Sequence, residues 1–103
     1  MIVDHRTYTL KPGAVPDLMK IYDGKFREIQ TSILGRPLGW YYTEFGPLNQ
    51  WIHLWAYDDV ADRERRRKQL ASNPEWGNYI AQARPLMVAQ ENKLLIAAPF
   101  TKS

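Results

Sequence analysis

Hydrophobic and polar positions along the chain alternate between two periods, and the changes of period mark out its elements. From Ile2 to Leu10 the residues are rich in β-branched and aromatic types and stop at the breaker Lys11-Pro12-Gly13, which predicts a strand. From Val15 the apolar positions Leu18, Met19, Tyr22, Phe26, Ile29 and Ile33 recur every three or four residues. That spacing predicts one helix to about Leu34, with Pro16 in its first turn and Gly35 ending it. The segments 39–45 and 50–57 read as strands joined by the four residues Gly46-Pro47-Leu48-Asn49 as a hairpin. Asp58, Asp59 and Asp62 supply an N-cap and an acidic first turn for a second helix, to about Ala71. Asn73, Pro74 and Glu75 repeat the start signal for a third. Its apolar face carries Trp76, Tyr79, Ile80, Ala83 and Met87, and Pro85 is expected to kink or end it. A last strand spans 92–97, before Pro99.

The resulting order, β-α-β-β-α-α-β, is that of a ferredoxin-like split βαβ domain of the α+β class, a four-stranded antiparallel sheet with helices on one face. In the third strand both faces are apolar. Ile52, Leu54 and Ala56 point one way, and Trp51, His53, Trp55 and Tyr57 the other. Helices on one face can cover only one set. The other is expected to be covered by a second copy of the sheet, which makes a homodimer and makes Trp55→Glu a change that weakens dimerisation and stability together.

Length and composition bound this picture. With 103 residues the chain makes one domain, and 45% hydrophobic with 24% charged residues is ordinary globular composition. Four Trp, six Tyr and three Phe are many for so short a chain and call for a large core or a partner surface. There is no Cys, which excludes disulfides and thiolate sites, and His5 and His53 are the only imidazoles, so neither a metal nor another cofactor is expected. No apolar run is long enough to span a membrane, and Met1 leads almost directly into a strand, so an untargeted cytoplasmic protein with no membrane partner is expected. Of the 14 basic and 11 acidic residues behind the net charge of +3, five and one fall within 63–68, leaving 9 basic and 10 acidic elsewhere. The run lacks interleaved aromatics, so it reads as a solvated helix face and not a nucleic-acid site.

Several stretches are similar to the NIPSNAP family, a branch of the dimeric α+β barrel superfamily. They are Arg6 to Gly13 in the first strand, Gly46 to Asn49 in the hairpin, His53 to Asp58, Ala61 to Arg63, Arg67, Asn73 to Trp76, Glu91 to Leu95 and Ala98 to Phe100. The resemblance covers the whole chain and is of the short bacterial type. It implies the dimeric barrel fold. Eukaryotic members are associated with mitochondria and vesicle traffic, and the wider superfamily holds cofactor-free monooxygenases, haem enzymes and ligand-binding transcription domains. His5 departs from the aliphatic residue expected at its position.

His53, between Trp51 and Trp55 on one strand face, is the sharpest candidate for chemistry, as a general base or ligand in an aromatic pocket. Arg6, Tyr8, Tyr41 and Tyr57 could hold a substrate oxygen there, with Trp55 lining the site. The structural alternative is a histidine hydrogen-bonded across the dimer or to Glu44. Asp4, Arg6 and Tyr8 share one face of the first strand; Arg6 could clamp a carboxylate or pair with Glu44 or Glu91. Trp76 reads as a core anchor, and Asn49-Gln50 as a turn stabiliser. There is no GxGxxG, P-loop, GxSxG or His-x-x-x-His pattern. The expected function is therefore a dimeric module whose aromatic pocket binds a small hydrophobic or aromatic ligand, or a partner protein. The alternative is a small cofactor-free monooxygenase- or isomerase-like enzyme using His53 and tyrosines.

Overall fold

The strand that decides the architecture, β3 (Gln50–Tyr57), runs through the middle of an antiparallel four-stranded sheet. The computed structural model describes residues 1–101. β3 lies beside β1 (Ile2–Leu10), and the edges are β2 (Arg36–Tyr42) and β4 (Met87–Ile96), in the order β2-β3-β1-β4. Helices α1 (Val15–Tyr22), α2 (Lys25–Leu34), α3 (Val60–Ala71) and α4 (Pro74–Ala83) complete the chain. The α+β, ferredoxin-like class expected from the pattern is the one found, and β3 has the expected bounds.

The caps act as the sequence suggests. The Asp59 side chain accepts from the backbone N–H of Asp62 at 2.7 Å, and Asn73 Oδ1 accepts from the N–H groups of Glu75 and Trp76. Pro85 ends α4 in a single 3-10 turn, Arg84–Leu86.

Four expectations need correction. The first helix is two, because Gly24 adopts φ 100°, ψ −120°, a conformation closed to side-chain-bearing residues, and this turns the chain between Tyr22 and Lys25. β2 begins at Arg36, not residue 39, and ends at Tyr42, so the hairpin loop spans 43–49. Pro37 is tolerated because β2 is an edge strand. β4 starts at Met87, five residues before the expected strand, and removes Met87 from the last helix. Asn49, at φ 60°, does more than shape its own turn: its Oδ1 accepts from Gly13 N at 3.0 Å and its carbonyl from Leu10 N at 2.8 Å, tying the hairpin loop to the end of β1.

The two faces of β3 now separate. Trp51, His53, Trp55 and Tyr57 are all buried and belong to the helix-covered side. Their core companions are Leu10 of β1, Leu18 and Tyr22 of α1, Leu34 of α2, Leu70 of α3 and Tyr79 of α4. The pairing Tyr8↔Trp51, Arg6↔His53, Asp4↔Trp55 carries Asp4, Arg6 and Tyr8 under the helices with them. Trp55 is wholly buried in one chain's core, so Trp55→Glu would attack the fold itself and cannot report on association. The open face instead carries Ile52 and Leu54, half-buried, with Tyr41 of β2 and Leu95 of β4 exposed.

Candidate functional site

His53 is the centre of a polar cluster within an otherwise aromatic core. Strand pairing puts Arg6 on one side of it and Trp40 on the other, all on the helix-covered face. Tyr8 stacks on the imidazole with ring centroids 5.3 Å apart and planes 12° from parallel. Trp55, two residues along the strand, turns its indole edge so that Nε1 donates to His53 Nδ1 at 2.5 Å. Trp40 meets Trp55 edge-on and donates its own Nε1 to Tyr22 Oη at 2.9 Å. Tyr22 in turn donates to Gln30 Oε1 of α2.

Arg6 is held on two sides. Its Nε donates to Tyr8 Oη at 2.9 Å and its Nη1 to Asp4 Oδ2 at 3.1 Å. The expected partners Glu44 and Glu91 are replaced by Asp4, because Glu91 pairs with Thr7 on the other side of the sheet. Asp4 is buried and takes a second guanidinium, Arg63 Nε of α3, at 3.2 Å. The basic run is thus not a merely solvated face. Arg65 and Arg66 both donate to buried Asp62, Arg66 also donates to the carbonyl of Ile33, and Arg67 turns inward.

These groups meet at a cavity of about 160 Å³ between the sheet and α2, α3 and α4. Arg6, Tyr8 and His53 line it from the sheet, as expected together. Gln30, Arg67, Trp76 and Tyr79 line it from the helices, with Arg84 and Gln90 at the β4 side. Tyr41 is not part of it: it sits on the opposite sheet face, 55% exposed. Trp55 and Tyr57 stand behind it as core, Trp55 acting through His53. Trp76 is both anchor and wall, packed 4.5 Å from Tyr79.

Gln30 and Arg67 carried a legible signal. Gln30 interrupts the apolar stripe of Phe26, Ile33 and Leu34, and Arg67 lies four residues after Arg63 and three before buried Leu70. A larger groove of about 560 Å³ opens between α1 and the β2 edge, lined by Met19, Trp40 and Trp51. Of its charged lining residues Lys20, Asp23 and Arg27, the last two pair with each other at 2.9 Å.

Electrostatics move the titratable groups away from neutrality. Burial, then the charges of Arg6 and Arg67, push the His53 imidazole down to about 3. Burial pushes the phenols of Tyr22 and Tyr79 up. Among the described residues no group of three or more His, Cys, Asp or Glu could hold a metal ion, and no helix is long and apolar enough to cross a membrane.

The fold and this cluster define an α+β domain with a helix-covered polar cavity. The NIPSNAP family model matches residues 3–102, and the chain belongs to the NIPSNAP family. It is 38% identical to protein Atu4242 from Agrobacterium tumefaciens, with a TM-score of 0.95 over 98% of this chain and 97% of that one. An uncharacterized NIPSNAP-like domain protein from Burkholderia xenovorans is 40% identical, with a TM-score of 0.96 over 99% of this chain and 89% of that one. A NipSnap homolog from Dictyostelium discoideum is 35% identical over 88% of this chain, which spans only 40% of that relative's length. The likeness to an antibiotic biosynthesis monooxygenase, at 14% identity and a TM-score of 0.66, is one of fold alone.

The depressed His53 pKa has a stability consequence. The unfolded ring binds a proton near pH 6.5 and the folded one only near 3, so stability present above pH 6.5 is lost as pH falls through that window. Denaturant titrations between pH 7 and 4.5, above the range of Asp62, whose carboxyl is held low by the backbone N–H of Asp58 and by Arg66, should show a loss approaching about 1.4 kcal/mol per pH unit. His53→Gln should flatten that slope; an unchanged slope would refute the assignment.

Proposed function

We propose that this chain is a binding module whose helix-covered cavity holds a small molecule with an aromatic body. The supporting observation is that Arg6, Tyr8 and His53 converge with Trp76 and Tyr79 on one enclosed space. Its volume, about 160 Å³, suits a single ring, since cavities near 150 Å³ accommodate benzene. Stacked aromatic walls favour a planar occupant, and the few polar groups orient it.

Binding is favoured over turnover by the protonation chemistry. General acid–base catalysis works best with a group poised near pH 7. Here His53 moves down to about 3 and the tyrosines Tyr22 and Tyr79 move up, and the Nδ1 lone pair of His53 is already engaged by Trp55. The monooxygenase- or isomerase-like alternative would need one of these groups to return toward neutrality.

The module works as a homodimer joined through the open sheet face. Tyr41, Ile52, Leu54 and Leu95 give that face an apolar band, with Lys93 and Glu91 at its β4 edge to pair across a two-fold axis. Burying it removes apolar area worth about 25 cal/mol per Å² from water.

Two measurements test these statements. In NMR titrations with millimolar benzyl alcohol, the ring resonances of Tyr8, His53 and Tyr79 should shift; shifts confined to Met19 and Trp40 of the outer groove would overturn the assignment. In sedimentation at micromolar concentration the chain should run as a dimer and Ile52→Asp as a folded monomer. A monomeric wild-type chain would rule out the interface.

A further inference from the structure

Three hydrogen bonds in the cavity wall run in one sense. Trp55 Nε1 donates to His53 Nδ1, so the proton of the neutral imidazole sits on Nε2. Tyr22 Oη donates to Gln30 Oε1, so what Gln30 has left is its pair of amide N–H groups. Arg6 Nε donates to Tyr8 Oη, which leaves the phenol hydrogen available. In each pair a neighbour occupies the acceptor atom and a donor remains.

The charged groups carry the same bias. Among the described residues Arg67 Nη1 and the Tyr57 hydroxyl are both buried without a hydrogen-bond partner of good geometry, and the Tyr57 phenol lies close enough to feel the Arg67 charge. No Asp or Glu lines the cavity. Asp4, the carboxylate that holds Arg6, already accepts from both Arg6 and Arg63. Exposed Arg84 adds a further positive charge at the mouth.

Resting on the reading of this cavity as a ligand pocket, we propose that its ligand is a small aromatic or heteroaromatic carboxylate. Its oxygens accept from Arg67, from Gln30 Nε2 and from His53 Nε2–H, and its ring lies among Tyr8, Trp76 and Tyr79. A carboxylate offers acceptors only and so matches the donors that Arg67, Gln30 and His53 present, while the acceptor Oε1 of Gln90, whose Nε2 donates to Asn92 Oδ1, lies apart at the β4 side. A protonated amine would leave the N–H groups of Arg67, Gln30 and His53 unpaired and set its own positive charge against Arg67 and Arg84. Inorganic phosphate carries the charge but brings nothing to stack between the rings. His53 in this arrangement is a neutral donor, and ligand charge is balanced by guanidiniums that stay protonated at any working pH.

The test is a calorimetric and NMR titration at pH 7 with four probes: benzoate, benzyl alcohol, benzylamine and inorganic phosphate. Benzoate should bind at least about tenfold more tightly than benzyl alcohol or phosphate, as one charge-assisted contact implies, and benzylamine should not compete. Arg67→Gln should abolish the preference for benzoate over benzyl alcohol. Exposed Arg84→Gln, which does not disturb the core, should reduce it and serves if the first variant is unstable. Benzyl alcohol or phosphate binding as tightly as benzoate would overturn the carboxylate assignment. In the case of benzyl alcohol, shifted Tyr8 and His53 rings would leave the pocket reading standing. If no probe shifts those rings, the pocket reading fails and takes this inference with it.

Discussion

The indole N–H of Trp55 donated to Nδ1 of His53 is the contact on which the interior of this domain depends. Both side chains are buried on the same face of a central strand, where each would otherwise leave a polar atom without water. Their hydrogen bond satisfies one donor and one acceptor at once. It also selects the imidazole tautomer, and burial between Arg6 and Arg67 keeps that ring uncharged. A histidine so held is an oriented N–H group within an aromatic layer, and it can stack flat against Tyr8 because it carries no charge to hydrate.

A second constraint follows from the positive charge around that ring. Asp4, at the bottom of the core, bridges Arg6 of the sheet and Arg63 of α3, so the helix is clamped to the strand it covers. Asp62 does the same work one turn away by gathering Arg65 and Arg66, and Arg66 reaches on to the end of α2. Three of the five cations in the basic run, Arg63, Arg65 and Arg66, are thus neutralised within the domain. Of the other two, Lys68 is exposed and Arg67 faces the cavity. Pairs of this kind contribute more to specifying how α3 sits than to net stability, because desolvating the ions offsets much of their attraction.

The sequence makes the elements legible where period and caps agree, as in β3, in the Asp59 cap of α3 and in the Asn73-Pro74 start of α4. It misleads where a local rule is hidden in a longer pattern. Gly24 sits inside an unbroken helical repeat and still divides it, because its backbone takes a conformation only glycine reaches freely. The first half of β4 is an exposed edge, so no buried alternation marks it. The two sides of β3 are equally apolar, and only the pairing with Asp4, Arg6 and Tyr8 of β1 decides which one the helices cover. That pairing brings His53, Arg6 and Tyr8 together as the residue pattern suggested and sends Tyr41 to the far side. Arg67 was masked by its charged neighbours, although its spacing from Leu70 places it on the inward face of α3.

The central claim is that Trp55 holds His53 as a neutral ring with its proton on Nε2. Long-range ¹H–¹⁵N correlation spectra of the imidazole measure this directly, since the two ring nitrogens differ sharply in shift according to which one bears hydrogen. At pH 7 the spectrum should show a single neutral tautomer protonated at Nε2, with the Trp55 indole N–H shifted by its hydrogen bond. A ring protonated at Nδ1, or an imidazolium with both nitrogens bearing hydrogen, would contradict the account.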